Sequence, residues 1–409
     1  MLLKPFVTSL PMVRGLGMAL RQHRDANVRH LRVLCGGNAF RFAGSGYNET
    51  TYATVSYKTT FPCRQRYVRG IKLALVNFEW ENVNFSEIAS AYTPVVKASV
   101  LVPNVSTTPI LFKWGGASTV TLPAQGYVVS DLLPEANFVQ GETIEIRLFV
   151  DRGAQAGFWT PDYSDPGSNL YYKENVDNTL SLSPNWSQNR RVVAPALVLG
   201  NTGGEIAFPV VGCLGDSIAI TMREGVRAAG LIDIAAHTYS DRANGYADPA
   251  KSAIRRIGME CCTHLLLNLG HNDLIGSGLS ANTLKTNIQK IAKYFANGGI
   301  QVYVATVTPR TNSTDGWTTV GNQTVYNSAR EAERVIYNDW LRDTSANGAL
   351  VESGGAIAGV IEIADVMETG RNTGIFKANY TNDGVHPFGT GYTAMKDAYA
   401  AFAGNFQVI

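Results

Sequence analysis

The sequence predicts two joined architectures. Residues 41–204 read as a mainly-β sandwich of jelly-roll character, and residues 205–409 as an α/β domain with a parallel sheet. Three observations predict this. The chain has 409 residues, more than one hydrophobic core usually serves. Its first half alternates apolar and polar residues in short segments between turn residues, the two-residue period of half-buried strands. Its second half alternates near-continuous apolar runs with segments of helical period, the pattern of a parallel sheet covered by helices on both faces.

Residues 1–40 are basic, with Lys4, Arg14, Arg21, Arg24, Arg29 and Arg32 against Asp25 alone, and read as a solvated or partner-facing arm. Within it Met18 to Leu34 has the pattern of an amphipathic helix before the Cys35-Gly36-Gly37 break. Pro5, Pro11 and Arg14 interrupt the first apolar stretch, which resembles a signal peptide only faintly.

In the first half, Thr51–Phe61, Ile71–Phe78, Val96–Val102, Ile110–Trp114, Ser118–Leu122, Gly126–Ser130 and Thr143–Val150 are the expected strands. Many short strands at this spacing suggest a sandwich. Residues 152–190 read as a loop-rich stretch, and the segment around 199–205 as a linker. Beyond it the expected strands are Ile206–Leu214, His264–Leu269, Gln301–Val307 and Val360–Ile363. Leu284, Ile288, Ile291 and Phe295 mark one helix, stopped at Gly298, and Val325, Ala329, Ala332, Ile336 and Trp340 mark another.

Composition excludes several function classes. With 35 basic and 33 acidic side chains the net charge is +2, which gives no electrostatic footprint for nucleic acid. No apolar run reaches the ~18 residues that a transmembrane helix needs. The five cysteines (Cys35, Cys63, Cys213, Cys261, Cys262) lack C-x-x-C spacing, so neither a disulfide scaffold nor a zinc site is expected. Cys261 and Cys262 read as opposite faces of one buried strand. Seven Asn-x-Ser/Thr tripeptides occur, a number that an Asn-, Ser- and Thr-rich chain reaches by chance.

Three segments of the second half carry chemistry. Ser217 follows the apolar run that ends at Gly215-Asp216 and opens a helix. There it would lie at the carboxyl edge of the sheet, with a helix N-terminus beside it for a developing oxyanion. A plain N-cap serine is the alternative. In Asp383-Gly384-Val385-His386-Pro387 one turn supplies a carboxylate and an imidazole, the pair that orients and uses a general base. The alternative is a surface turn in which the two merely bond. Gly270-His271-Asn272-Asp273 follows the run Leu265–Leu269, and the Asn272 amide could donate to an oxyanion at the same edge. His264, His271 and His386 lack paired carboxylate ligands in sight, so no metal is expected.

Taken together these blocks resemble the SGNH (GDSL-type) hydrolase family, in family order, over about 200 residues from Val210 onward. The resemblance implies a three-layer, flavodoxin-like α/β/α fold and ester hydrolysis without a cofactor. It implies Ser217 as nucleophile, His386 as base and Asp383 as its orienting acid. The oxyanion hole would comprise the N–H groups of Ser217 and Gly245 and the Asn272 side chain. Gly245 is assigned because it is the only glycine between Gly230 and Gly258.

The β-half before such a domain suggests an acylated carbohydrate as substrate, with acetyl the acyl group. Tyr163, Tyr171, Tyr172, Trp186 and Trp317 are the candidate sugar-stacking aromatics. A lipase or thioesterase for longer chains stays open, although no glycine-hinged apolar lid is visible. So does a glycan-binding structural protein of a virion, assembled as a homo-oligomer through the arm or β-domain. An extracellular or virion-associated setting fits best, with the cytoplasm still open.

Overall fold

The computed structural model describes residues 31–33, 38–39, 53–81, 85–90, 92–102, 107–151, 170–182, 185–188, 196–203, 208–235 and 241–406. Most of the basic arm, the candidate Tyr163 and Cys35 lie outside them.

The second half carries a parallel sheet in the order Asn38–Ala39, Ile232–Ala235, Val210–Gly215, His264–Asn268, Gln301–Ala305, Gly359–Ile361. Alternate residues of its strands face opposite ways. Leu214, Leu265 and Leu267 meet the helices Ala253–Met259, Ala281–Ala296 and Ser328–Arg342. Val211, Cys213 and Leu266 meet the helices Ile220–Ala228 and Gly389–Ala403. Because both faces are covered, the strands are apolar throughout rather than alternating. Without its first, two-residue strand, the sheet has the 2-1-3-4-5 order of doubly wound folds. Its crevice then opens beyond the carboxyl ends of Val210–Gly215 and His264–Asn268.

The described part of the first half forms a separate two-stranded antiparallel sheet, Glu79–Glu81 with Ser86–Ile88, and two large antiparallel sheets. One runs Ser187–Gln188, Leu170–Glu174, Thr54–Pro62, Thr143–Asp151, Val95–Leu101, Ile110–Leu111, with Val120–Thr121 also on Val95–Leu101. The other runs Leu31–Val33, Leu197–Asn201, Tyr67–Asn77, Gly126–Val129, with Leu133–Val139 also on Tyr67–Asn77. Ile71, Leu73, Leu75 and Val198 of the second sheet share a core with Val55, Val100 and Ile146 of the first. The opposite face of that second sheet, through Ala74, Leu197 and Leu199, packs into the core of the α/β half. One β-sheet is therefore buried on both sides, which explains the unbroken apolar run Ala196–Leu199.

Several expectations need correction. Leu31–Val33 is a strand paired with Leu199–Asn201, so the Met18–Leu34 helix does not hold at its end. Asn38 and Ala39, read as part of the arm, add a strand to the parallel sheet. Cys261 and Cys262 do not flank a strand. Their N–H groups close turns onto Gly258 and Met259 carbonyls at a helix end, and the strand starts at His264. Cys63 and Cys213 are buried free thiols. The helix expected from Val325 starts at Ser328, because the Asn327 side chain caps it by accepting from Arg330 N, while Val325 ends a short strand. The left-handed residue after Ala281–Ala296 is Gly299, one place beyond Gly298. Ser118–Leu122 shortens to a strand at Val120–Thr121. Among the described residues no helix is long and apolar enough to cross a membrane.

Candidate active site

The strand Val210–Gly215 delivers Asp216 and Ser217 to the carboxyl edge of the parallel sheet. The N-cap here is Asp216, not Ser217: its carboxylate accepts from Ile218 N at 3.0 Å. Ser217, half-buried, instead places its Oγ 2.8 Å from His386 Nε2. His386 Nδ1 lies 2.6 Å from Asp383 Oδ2, and the other carboxylate oxygen accepts from the N–H groups of Val385 and His386, each at 2.8 Å. Residues 169 apart in sequence thus form one hydrogen-bonded chain from hydroxyl to imidazole to carboxylate. Burial alone would raise the Asp383 pKa. The hydrogen bonds from the His386 ring and the two backbone N–H groups outweigh it and hold the carboxyl below its usual value.

The turn that carries Asp383 and His386 is built on Gly384. Its φ is +76°, and a Cβ there would lie 2.0 Å from the Thr311 carbonyl and 2.7 Å from the Trp317 ring. Its N–H donates to Thr381 Oγ1 at 3.0 Å and its carbonyl accepts from Thr311 N at 3.0 Å. Gly384→Ala is therefore expected to displace the turn. Ester turnover should fall at least tenfold while the far-ultraviolet circular dichroism stays native. Unaltered turnover would show that the turn tolerates the side chain.

Asn272 follows the neighbouring strand and starts a wide turn closed by Ser277 N on Asn272 O at 2.9 Å. Such five-residue-spaced turns are frequent at functional sites. Its amide donates to the Asp241 carbonyl at 3.3 Å, which leaves the second amide hydrogen uncommitted. The next residue, Asp273, accepts from Ala243 N at 2.9 Å and Asn244 N at 3.3 Å, pinning the short helix Ala243–Ala247 to the same turn. Gly245 sits in that helix. A Cβ there would meet the Phe85 carbonyl at 2.6 Å, so packing against the first half accounts for the glycine.

Three carboxylates are buried beneath these turns. Burial, with Asp273 and Asp241 nearby, pushes Asp216 up to about 7 despite the Ile218 N–H. Burial pushes Asp241 up to about 6 against the opposing Arg255 charge, and Asp273 to about 6 against the Ala243 and Asn244 N–H groups. A carboxyl whose folded-state pKa is raised supports the fold below its unfolded value, near 4, and loses that support as pH climbs through the raised value. The stability that Asp216 contributes should thus be lost as pH rises toward and past about 7. Asp216→Asn is accordingly expected to raise the melting temperature, relative to wild type, more at pH 8 than at pH 5. Thermal unfolding at the two pH values checks this, and an equal or reversed difference would refute it.

His271 is buried, and burial with the nearby Arg310 charge pushes its pKa down to about 3, so the ring is neutral. His264 stacks on Phe406 with ring centroids 4.2 Å apart. Among the described residues no group of three His, Cys, Asp or Glu side chains is arranged to hold a metal ion.

Tyr163 lies outside the described residues, and the other candidate sugar-stacking aromatics each have a packing contact. Trp317 packs its ring edge on Gly384 and donates its indole N–H to Thr311 Oγ1 at 2.8 Å. Tyr172 packs against the β-core, and the Lys58 ammonium covers Tyr171 at 4.0 Å from the ring centroid, with Trp186 beside it. Two residues with a place near the site went unread in the sequence. Glu87, from the first half, accepts from Ile254 N at 2.7 Å and Arg255 N at 2.9 Å. Phe388, two residues past His386, is 56% exposed. Only the latter had a signal, its adjacency to the His386-Pro387 pair.

No protein-family profile and no curated protein sequence matches this chain. Solved structures do. A GDSL-like lipase from Bacteroides thetaiotaomicron is 18% identical, with a TM-score of 0.34, over 48% of this chain and 87% of its own. A carbohydrate esterase family 3 protein from Talaromyces cellulolyticus is 15% identical, with a TM-score of 0.33, over 47% of this chain and 95% of its own. A Bacillus subtilis protein matches 92% of this chain and 87% of its own, at 13% identity and a TM-score of 0.34. The solved structures that this chain resembles thus include GDSL-type acylhydrolases and carbohydrate esterases, most of which match about half of it.

Proposed function

We propose that the protein is a serine esterase of the SGNH type that removes small acyl groups, acetyl foremost, from a carbohydrate. One observation carries the reading: the hydrogen-bonded chain Ser217–His386–Asp383, at 2.8 and 2.6 Å. On this reading His386 Nε2 takes the Ser217 proton as Oγ attacks the acyl carbon, and Asp383 fixes the tautomer and stabilises the imidazolium. The tetrahedral oxyanion is held by the Ser217 N–H and the free amide hydrogen of Asn272. Gly245 keeps its assignment to the hole only as a proposal, since its packing on Phe85 already explains it. His386 then gives the proton to the leaving alcohol, and water activated by the same nitrogen releases the acid.

With side-chain exposures of 45% for His386 and 46% for Asp383, the catalytic chain lies open to a large alcohol partner and to water. That openness favours a polymeric substrate over a buried acyl chain. On the same reading the two large antiparallel sheets form a jelly-roll-like accessory unit. The test is hydrolysis of p-nitrophenyl acetate, butyrate and octanoate by the wild-type chain and by Ser217→Ala. Ser217-dependent rates that fall with acyl length support the reading. Best turnover on octanoate moves it to a lipase or thioesterase. Equal, negligible rates for both proteins would leave a glycan-binding role.

A further inference from the structure

Beyond the triad, the loop that carries His386 forms an open cavity of about 220 Å³. It is lined by Phe388, Asn379, Asn382, Thr381, Thr390 and the glycines 316 and 389. No charged and no aliphatic side chain lines it. Phe388 is the most exposed large hydrophobic side chain bordering the cavity, at 56%.

Position and chemistry together say what belongs there. The leaving oxygen of an ester must come within hydrogen-bond reach of His386 Nε2, the atom that also holds Ser217 Oγ at 2.8 Å. The alcohol part of the substrate therefore lies toward the His386 segment, while the acyl oxygen turns toward Asn272 on the neighbouring strand end. An exposed phenyl ring offers a flat apolar face. Asn379 and Asn382 each supply a donor and an acceptor, and Thr390 adds a hydroxyl. This pairing of one apolar platform with several neutral polar groups suits a sugar ring, whose C–H face is apolar and whose edge carries hydroxyls. An acyl chain would use none of these polar groups. An acidic sugar would find no cation in the lining.

We propose that this cavity is the alcohol subsite of the esterase and binds an uncharged sugar ring, stacked on Phe388 with its hydroxyls on Asn379, Asn382 and Thr390. The proposal rests on the esterase reading above.

The experiment compares acetate release from acetylated xylan with hydrolysis of p-nitrophenyl acetate, as a ratio of kcat/KM values. The proteins are the full wild-type chain, Phe388→Ala and Phe388→Trp, each checked by thermal unfolding. Phe388→Ala is expected to lower the ratio about tenfold or more, the size of one well-packed aromatic contact. Phe388→Trp should keep it within about threefold of wild type by the same stacking argument. An unchanged ratio in Phe388→Ala overturns the subsite. So does a wild-type chain that cleaves p-nitrophenyl acetate through Ser217 but releases no acetate from xylan. A preference for acetylated pectin over acetylated xylan overturns the uncharged assignment. Retention of p-nitrophenyl acetate hydrolysis by Ser217→Ala is a different result, because it sinks the esterase reading itself.

Discussion

Ser217→Ala and His386→Ala are each expected to lower kcat on p-nitrophenyl acetate by about 10⁶-fold, and the double variant by no more than either alone. The reason is geometric. Oγ is a poor nucleophile unless a base takes its proton as it attacks, and the imidazole that holds it is His386, 2.8 Å away. Removing the hydroxyl leaves the base with nothing to activate. Removing the base leaves the hydroxyl protonated. The two losses are therefore one loss, counted once. Steady-state rates of the three variants, with active sites counted by a fluorophosphonate probe in the wild type, decide it. Multiplicative losses would mean that the two side chains act in separate steps.

The second large effect concerns a residue outside the triad. Glu87→Ala is expected to destabilise the protein by about 3–5 kcal/mol, the usual cost of breaking a buried ion pair. Glu87 and Arg255 are both fully buried, and the carboxylate accepts from Arg255 Nε at 3.0 Å as well as from two backbone N–H groups. Burial pushes the Glu87 pKa up even against the Arg255 charge, so the pair persists only while its bonds are complete. Arg255 also bonds Asp241, whose carbonyl holds the Asn272 amide. The loss should accordingly reach turnover as well as stability. Urea unfolding and kcat measured well below the melting temperature would both shift, whereas a change under about 1 kcal/mol would show the pair to be dispensable.

What was legible in the sequence is what is local. Asp383 and His386 share one turn, and Ser217 and Asn272 each follow an apolar strand that announces the sheet edge. Their meeting could be read because the doubly wound order brings adjacent strand ends together. The helix starts were less legible, since a side-chain cap such as Asn327 overrides the apolar period beyond it. Contacts of long separation were not legible. Glu87 reaches Arg255 across 168 residues, and nothing around Ser86-Glu87-Ile88 marks a partner. Asn38 and Ala39 are too few to show any period, yet they complete a sheet whose other strands begin at Val210. Trp317 packs on Gly384, a contact that nothing in the sequence around Trp317 announces.

That two-residue strand has a consequence for how the chain is made. Asn38 and Ala39 leave the ribosome well before the strand they pair with, Ile232–Ala235, which follows nearly two hundred residues later. Leu31–Val33 likewise waits for Leu197–Asn201. The nascent chain therefore holds this segment unpaired until Ile232–Ala235 has emerged, and the sheet closes by the kind of distant contact that slows folding. A protease cut between the halves would for the same reason not part them, since the N-terminal fragment keeps a strand in the other's sheet.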